Sequence, residues 1–281
     1  MFYIEKNDKP NWLIKKANII KVENNTIILP IYEKIKPKSI EKLAKKTNKI
    51  IRKNSNSVKA VVSKEIQKEK QYINLLNTYG IEIADGKWLF EILIPDVVQK
   101  IVEQQKIEKV SISILINDLT EIELENIKEL ANKYQNINIV TNHIEKFTRL
   151  QKEMQEKGII ITITNNKKKS LMKSQIIINV DFPKELIDRY RINEYATIIN
   201  IKEKLKIKQK RFEGRIINDY EIKLKNNYFG EKIVDRKYYC KDLYESEIHK
   251  KTPYKELRKK IKKEIANIYN YPQVEGETHK Q

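Results

Sequence analysis

The chain has 281 residues, 40% of them hydrophobic and 34% charged, which allows a sizeable core and excludes the intrinsically disordered class. Its single cysteine, Cys240, excludes an intramolecular disulfide and a cysteine-built zinc site. The formal net charge is +19, but the sequence contains no signal-peptide pattern and no apolar run of about 18 residues that could span a membrane, so we expect a folded cytoplasmic protein without a membrane partner.

Residues 1–105 predict an N-terminal α/β part. MFYIEK, ANIIKVE and NTIILPIY, within residues 1–35, indicate short strands, which we interpret as a small antiparallel element. SVKAVVS at 57–63 and IEIAD at 81–85 indicate two more strands, and the helix between them ends near Gly80, a residue suited to a left-handed helix cap. The next helix carries apolar residues at helical spacing: Leu89, Leu93, Val97 and Ile101.

Residues 106–201 predict a Rossmann-like domain, in which strands alternate with helices. Near-continuous Ile and Val in the strands indicates burial on both faces, as parallel sheets require. The fold class is therefore α/β, with a mostly parallel, doubly wound Rossmann-like sheet, a second N-terminal α/β part and a C-terminal helix. The predicted strands of this domain are 110–118, 136–142, 158–166, 174–181 and 196–201.

Residues 202–281 predict a basic C-terminal extension with a helix over about 253–270 and a frayed tail. Thr252 is the expected N-cap and Pro253 the first helical residue. The helix has an apolar stripe that begins at Tyr254 and Leu257. Its basic residues either extend a binding patch or are solvated: Lys255, Arg258, Lys259, Lys262 and Lys263.

The segment at 201–215 places lysines at strict alternation, at Lys202, Lys204, Lys206, Lys208 and Lys210. As a strand it would present five ammonium groups on one face, about 7 Å apart. Such a ladder could follow a nucleic-acid backbone, or it could belong to an edge strand whose lysines prevent pairing with other chains. Lysine outnumbers arginine roughly six to one, as AT-rich codons also favour, so nucleic acid is an alternative partner and not the favoured one.

The predicted strands of the Rossmann-like domain end in short polar side chains. In open parallel sheets, ligands bind beyond the carboxyl ends of the strands, where the strand order reverses. If the order is 3-2-1-4, the strands that end at Asp118 and Asp181 are neighbours at that point. We therefore predict a site for a small or nucleotide-like ligand from Asn117, Asp118, Thr141, Asn142, His143, Asn165, Asn179 and Asp181.

Helix capping is the alternative explanation for these residues. Asn, Asp and Thr satisfy the free N–H groups at helix starts, and Asp118 has the position of such a cap. His143 could act as a general acid or base, or it could simply begin a helix. His249 and His279 lie near or beyond the C-terminal helix, which excludes a histidine-rich metal centre. No Walker A, GxSxG or HExxH motif occurs, and whether the protein is an enzyme stays open.

The layout of residues 108–200 resembles the nucleotide-binding domain of shikimate dehydrogenases and glutamyl-tRNA reductases. In those families a strand leads into an Asn-Arg-Thr turn and a helix with Lys and Leu, and IVTNHIEKFTRL at 139–150 is similar. SQIIINVDFP at 174–183 looks like their later strand, which ends beside the nicotinamide. The resemblance implies a degenerate dinucleotide-binding domain.

The phosphate-binding turn of those families is missing. A GxGxxG turn lets the backbone approach a pyrophosphate, whereas this chain has INDLTEIELEN at the same place. Side chains at these positions would crowd a pyrophosphate, and the acidic Asp118, Glu121 and Glu123 would repel it. His143 follows Asn142 where the families have an arginine, although Lys146 could replace its charge. The sequence therefore predicts that the protein does not bind ordinary NAD(P). It leaves the cofactor, the ligand and the oligomeric state open.

Overall fold

The computed structural model describes residues 1–54, 58–201, 204–226, 229, 237–248 and 250–272. The chain folds into two compact α/β units, and each contains its own mostly parallel sheet. This confirms the α/β class. Unit 1 comprises Met1–Trp88 with Leu224–Thr252, and unit 2 comprises Leu89–Lys223 with Pro253–Gln281. The predicted boundaries, after residues 105 and 201, differ from these bounds and stay a prediction.

Unit 1 contains a five-stranded sheet in the order β2-β3-β1-β4-β5. Strand β1 pairs in parallel with both β3 and β4, and β2 is an antiparallel edge. The predicted antiparallel element is therefore right for β2 and β3 and wrong for β1. The reason is that Phe2 and Ile4 are buried, and a strand between two neighbours buries more apolar surface than an edge strand. The strands are Phe2–Lys6 (β1), Lys21–Glu23 (β2), Thr26–Leu29 (β3), Lys59–Val62 (β4) and Glu82–Ala84 (β5).

The helices of unit 1 cover this sheet with amphipathic faces. The longest, Pro37–Asn54, buries Ile40, Leu43 and Ala44 at helical spacing. Thr47 of this helix shares a buried 2.8 Å hydrogen bond with Tyr72 of the next one. Gly80 has a φ of +74°, which confirms its predicted left-handed conformation. The helices are Trp12–Ala17 (α1), Pro37–Asn54 (α2), Lys70–Thr78 (α3) and Cys240–Glu247 (α9), with a 3₁₀ turn at Ile66–Lys68.

Unit 2 contains a seven-stranded sheet in the order β12-β11-β10-β9-β6-β7-β8. Strands β6 to β11 all pair in parallel. In chain order, β8-β7-β6-β9 is the predicted 3-2-1-4, so this part of the fold is Rossmann-like and the order reverses between β6 and β9. The strands are Ser111–Leu115 (β6), Asn136–Val140 (β7), Ile161–Thr164 (β8), Ile176–Asn179 (β9), Thr197–Asn200 (β10), Arg215–Leu224 (β11) and Ile265–Pro272 (β12).

The helices of unit 2 alternate with these strands. Leu115, Ile177 and Ile198 are fully buried in one continuous cluster. Among the described residues, no helix is long and apolar enough to cross a membrane. The helices are Lys87–Gln105 (α4, whose first two residues belong to unit 1), Glu121–Lys133 (α5), Thr148–Glu156 (α6), Lys167–Lys173 (α7), Lys184–Asp188 (α8) and Tyr254–Glu264 (α10), with a 3₁₀ turn at Ile144–Phe147.

The predicted C-terminal helix is present but ends earlier than expected. It stops at Glu264, and Ile265–Pro272 continues as β12 beside β11. The sequence IANIYNYP is rich in β-branched and aromatic residues, which favour a strand where a sheet edge is available. The predicted basic face is also partly wrong, because Arg258 is 5% exposed. The tail from residue 273, His249 and His279 lie outside the described residues.

The predicted lysine strand does not form in residues 204–210, and Lys202 lies outside the described residues. The segment is nevertheless held in place by side-chain amides: Asn218 donates to the Leu205 carbonyl at 2.9 Å and accepts from its N–H at 2.7 Å. These bonds take the place of a strand ladder. Burial still alternates, because Leu205 is buried while four lysines are exposed: Lys204, Lys206, Lys208 and Lys210.

Candidate ligand site at the strand ends of unit 2

Asp118 and Asp181 lie together where the strand order of unit 2 reverses. Strands β6 and β9 pair in parallel, with Leu115 opposite Asn179. The two aspartates follow these positions, and the Asp118 N–H donates to the Asp181 carboxylate at 2.9 Å. Their predicted proximity therefore holds in the structure.

The Asp181 carboxylate is bound by the backbone that follows β6. The Asn117 N–H donates to both carboxylate oxygens at 2.9 Å, and the Asn117 side-chain amide donates at 3.2 Å. Together with the Asp118 N–H, the turn gives this carboxylate an anion-binding concavity. In a dinucleotide-binding domain, the turn after the first strand binds the pyrophosphate. In this protein, an internal carboxylate fills that turn.

The backbone N–H groups at the start of α5 form hydrogen bonds with side chains of the same segment. The Thr120 N–H donates to the Glu123 carboxylate at 2.7 Å, and the Glu123 N–H donates to the Thr120 hydroxyl at 3.4 Å. This pair is a capping box. The alternative interpretation of Asp118 as the helix cap is therefore wrong, because Thr120 has that role and the Asp118 side chain is 77% exposed.

Two lysines reach the same edge from the strands that follow. The Lys146 ammonium contacts Asp118 Oδ1 at 2.8 Å, and that hydrogen bond raises the pKa of Lys146. The Lys167 ammonium donates to Asn142 Oδ1 at 2.6 Å, while the Asn142 N–H donates to Asn117 Oδ1 at 3.0 Å. Lys167 is not among the site residues predicted from the sequence. Its position directly after the strand that ends at Thr164 was the available signal.

His143 lies at this edge, in the N-cap position of the 3₁₀ turn Ile144–Phe147. It precedes the 3₁₀ turn, yet its side chain makes no cap hydrogen bond. Its N–H donates to the hydroxyl of the buried Thr141 at 3.0 Å. The imidazole Nδ1 lies 3.5 Å from Glu145 Oε1, and the side chain is about half exposed. The ring is thus accessible to a ligand in solution, and Thr141 fixes its backbone.

The remaining predicted residues are Asn165 and Asn179, and they lie beside asparagines that form hydrogen bonds within the fold. Asn166 accepts the Lys169 N–H at 3.0 Å and so caps α7, and the neighbouring Asn165 is exposed. Asn179 is buried and donates to Asn200 Oδ1 at 2.6 Å. Asn200 in turn donates to Asn218 at 3.3 Å. These three asparagines form a ladder across β9, β10 and β11 that ties the strand ends together.

In the strand-end cluster, Asp118, Asn142 and His143 are exposed. Two grooves of unit 2 are lined by other residues, one of about 330 Å³ beside Lys100 and Asn267 and one of about 280 Å³ beside Arg191 and Tyr195. Within the part of the chain that the structure describes, no three His, Cys, Asp or Glu side chains are grouped so that they could hold a metal ion.

No protein-family model matches the chain, and no curated protein matches its sequence. Similar solved structures include an aspartate transcarbamoylase from Trypanosoma cruzi in complex with carbamoyl phosphate and aspartate (10% identity, TM-score 0.29, 72% of each chain covered). An ornithine carbamoyltransferase from Pyrococcus furiosus has 9% identity, a TM-score of 0.28 and 72% of each chain covered. A shikimate 5-dehydrogenase-like protein has 11% identity and a TM-score of 0.24, with 71% of this chain and 76% of that chain covered. Similarity at this level carries no conclusion about activity, and the Rossmann-like assignment rests on the strand order of unit 2.

Proposed function

We propose that the protein binds a small or nucleotide-like polar ligand at the strand ends of β6, β7 and β9. The observation that carries the proposal is the group of exposed, oppositely charged side chains where the strand order reverses, the usual place for ligands of open parallel sheets. Asp118 and Lys146 form its ion pair, and Lys167 and Asn142 form the adjacent hydrogen bond. His143 lies next to them in the chain.

The anion-binding turn narrows the chemical class of the ligand. Because Asp181 accepts the N–H groups of Asn117 and Asp118, a pyrophosphate would have to displace a carboxylate that belongs to the fold. This supports the expectation against ordinary NAD(P). Lys146 and Lys167 offer two ammonium groups that a single carboxylate or phosphate could bind. The proposed ligand therefore has one anionic group, which the lysines bind, and further groups that form hydrogen bonds with Asp118 and His143.

Thermal unfolding with three probes tests this proposal: adenosine 5′-monophosphate, adenosine and NADP⁺. The monophosphate should raise Tm by at least about 5 °C at a hundredfold excess over Kd, because ligand binding then adds about 2.7 kcal/mol. The double substitution Lys146→Gln, Lys167→Gln should abolish the rise. Lys152→Gln, an exposed lysine on α6, is the matched control and should retain it.

The two aspartates of the site differ in their contribution to stability. Asp118→Asn removes an exposed charge and should leave the unliganded Tm unchanged. Asp181→Asn would replace an acceptor of four hydrogen bonds and should lower the unliganded Tm. If adenosine 5′-monophosphate leaves Tm unchanged, or if the lysine double variant responds to it like the unchanged protein, the ligand site is refuted.

The alternation of exposed lysines in residues 204–210 favours nucleic acid as a second candidate partner. Lys204, Lys206, Lys208 and Lys210 remain on the surface although the strand is absent. Under this alternative, a labelled single-stranded oligonucleotide binds with a Kd that weakens steeply with salt. Replacing the four lysines with Gln should flatten that dependence, whereas the Lys146 and Lys167 double variant should not change it. Binding unaffected by the four substitutions would exclude this segment as the interface.

A further inference from the structure

Exposed apolar side chains are concentrated near the start of unit 1. Nine large hydrophobic side chains are exposed in the described part of the chain, and four of them lie within eleven residues: Trp12, Leu13, Ile19 and Val22. Trp12 is 65% exposed and Leu13 61%. Helix α1 buries none of its residues, and all three residues of β2 are exposed. Exposed apolar patches rimmed by polar residues are often interaction surfaces.

The structure fixes α1 at both ends although the helix buries nothing. The Asn11 side chain accepts the Ile14 N–H at 2.9 Å, and Asn18 closes the helix in the left-handed conformation, with a φ of +48°. Lys46 of α2 donates to the Asn18 carbonyl at 2.8 Å. A helix of six residues is not stable alone, so these caps serve to hold Trp12 and Leu13 in place at the surface.

Lysines are frequent in the same segment and in the helix that contacts its end. Residues 9–22 contain four lysines and no acidic residue. The adjacent α2 has seven basic residues and one acidic residue, Glu41, and its exposed face is formed by the charged ones. Residues 1–54 hold fourteen Lys or Arg and five Asp or Glu, which gives a net charge of +9 in less than a fifth of the chain. The surface therefore matches an anionic partner that also accepts aliphatic side chains.

We infer that the α1 surface, formed by Trp12, Leu13, Ile19 and Val22 with their flanking lysines, docks unit 1 on a bilayer that contains anionic lipid. Trp prefers the headgroup level, and aliphatic side chains gain by entering the acyl boundary. A nucleic acid is a poorer match, because its bases stack on aromatic rings. The aliphatic side chains of Leu13, Ile19 and Val22 cannot form such stacks. Lysine is a compact point charge that suits a diffuse negative surface. The sequence-based expectation of no membrane partner rested on spanning segments, and this mode of binding requires none.

Flotation of the full chain with lipid vesicles tests the inference. The protein should float with vesicles of equal parts phosphatidylcholine and phosphatidylglycerol, weakly with phosphatidylcholine alone, and less as salt rises. Trp12→Ser with Leu13→Ser should reduce partitioning roughly tenfold or more, because two apolar side chains no longer enter the bilayer. Ile160→Ser is the matched control, since Ile160 is 81% exposed in unit 2 and should have no effect.

Fluorescence locates the contact independently. The chain has two tryptophans, so Trp88→Phe leaves Trp12 as the only one, and its emission should shift to the blue when the mixed vesicles are added. Lys15, Lys42 and Lys49 changed to Gln should weaken flotation without altering the unliganded circular dichroism spectrum. Equal binding to neutral vesicles, no flotation, or an unchanged Trp12 emission overturns the inference. So does loss of oligonucleotide binding, but not of flotation, in the Trp12 and Leu13 variant.

Discussion

At the scale of single residues, Arg258 shows how one buried charge organises three helices of unit 2. Its guanidinium, on α10, forms an ion pair with Asp96 of α4 and contacts the Glu129 carboxylate of α5 at 2.7 and 3.1 Å. It also donates to the Ile92 carbonyl at 3.3 Å. Its planar guanidinium reaches two carboxylates and a backbone carbonyl at once, a fixed geometry that an ammonium group does not reproduce. Arg258 is therefore a structural residue and not part of a basic binding face.

Arg258→Met should lower the free energy of unfolding by about 3–5 kcal/mol at neutral pH, because it leaves Asp96 and Glu129 without their buried partner. Burial raises the pKa of Glu129, but the hydrogen bonds and charges of Arg258 and Lys262 outweigh it and hold that pKa below its ordinary value. A carboxyl with a depressed folded pKa stabilises the protein above its unfolded pKa, and this contribution disappears as the pH falls through the folded value.

The difference between Arg258→Met and the unchanged protein should therefore narrow as the pH falls below about 4.5, the ordinary value for glutamate. Urea unfolding at neutral and acidic pH measures it. Arg191→Met is the control, because Arg191 pairs with Glu194 on the surface and its loss should cost less than about 1 kcal/mol. A difference that grows on acidification would contradict the assigned role of Glu129.

The residues of the candidate site were only partly predictable. Polar residues after apolar runs predicted that Asp118 and Asp181 meet, because the carboxyl ends of parallel strands share an edge. The sequence could not show that Asp181 accepts N–H groups from residues more than sixty positions away. That contact depends on the register between β6 and β9. The charge of Arg258 predicts exposure to solvent, whereas its position four residues after Tyr254, on the apolar stripe, agrees with its burial.

At the scale of elements, the asparagine ladder fixes a segment that has no regular structure. Asn218 continues the ladder from Asn179 and Asn200, and its side chain satisfies both backbone groups of Leu205. Gln209 accepts the Ile192 N–H and donates to the Tyr190 carbonyl at 2.6 Å. The segment at 204–210 is thus attached by amide side chains at two points.

Asn218→Ala should release this segment from the sheet. Trypsin should then cleave after Lys204, Lys206, Lys208 or Lys210 several times faster, because cleavage requires local opening of the chain. Mass spectrometry of early fragments gives the positions. Asn132→Ala removes a comparable side-chain amide bond from an exposed helix position and should leave the rate unchanged. Equal early cleavage in both variants would show that Asn218 does not hold the segment.

Local sequence patterns predicted some elements and misassigned others for a physical reason. The buried strands β6 to β10 follow from runs of Ile and Val, and the end of α3 follows from Gly80. Local patterns predict the wrong pairing for β1, because its partners β3 and β4 lie some twenty and almost sixty residues further along the chain. Residues 265–272 continue a helical apolar stripe, but the edge of β11 is available and their β-branched and aromatic side chains favour a strand there.

At the scale of the whole molecule, the chain builds its two units in an interleaved order. Unit 1 takes residues from both sides of the main segment of unit 2, and unit 2 is completed by α10 and β12. The two proposed surfaces fall on different units, with the ligand site on unit 2 and the α1 surface on unit 1. Each can therefore be altered alone, so the ligand experiment and the vesicle experiment do not depend on one another.

The interleaved order also has a consequence during synthesis on the ribosome. Val61 and Ala84 of unit 1 share a hydrophobic cluster with Tyr238 and Leu243. At about 5–20 residues per second, these last two side chains leave the ribosome some 8–30 s after Ala84. The parallel strands β6 to β10 can pair within that interval. The unit made first is thus completed after the core strands of the second, and until then Val61 and Ala84 lack the contacts of Tyr238 and Leu243.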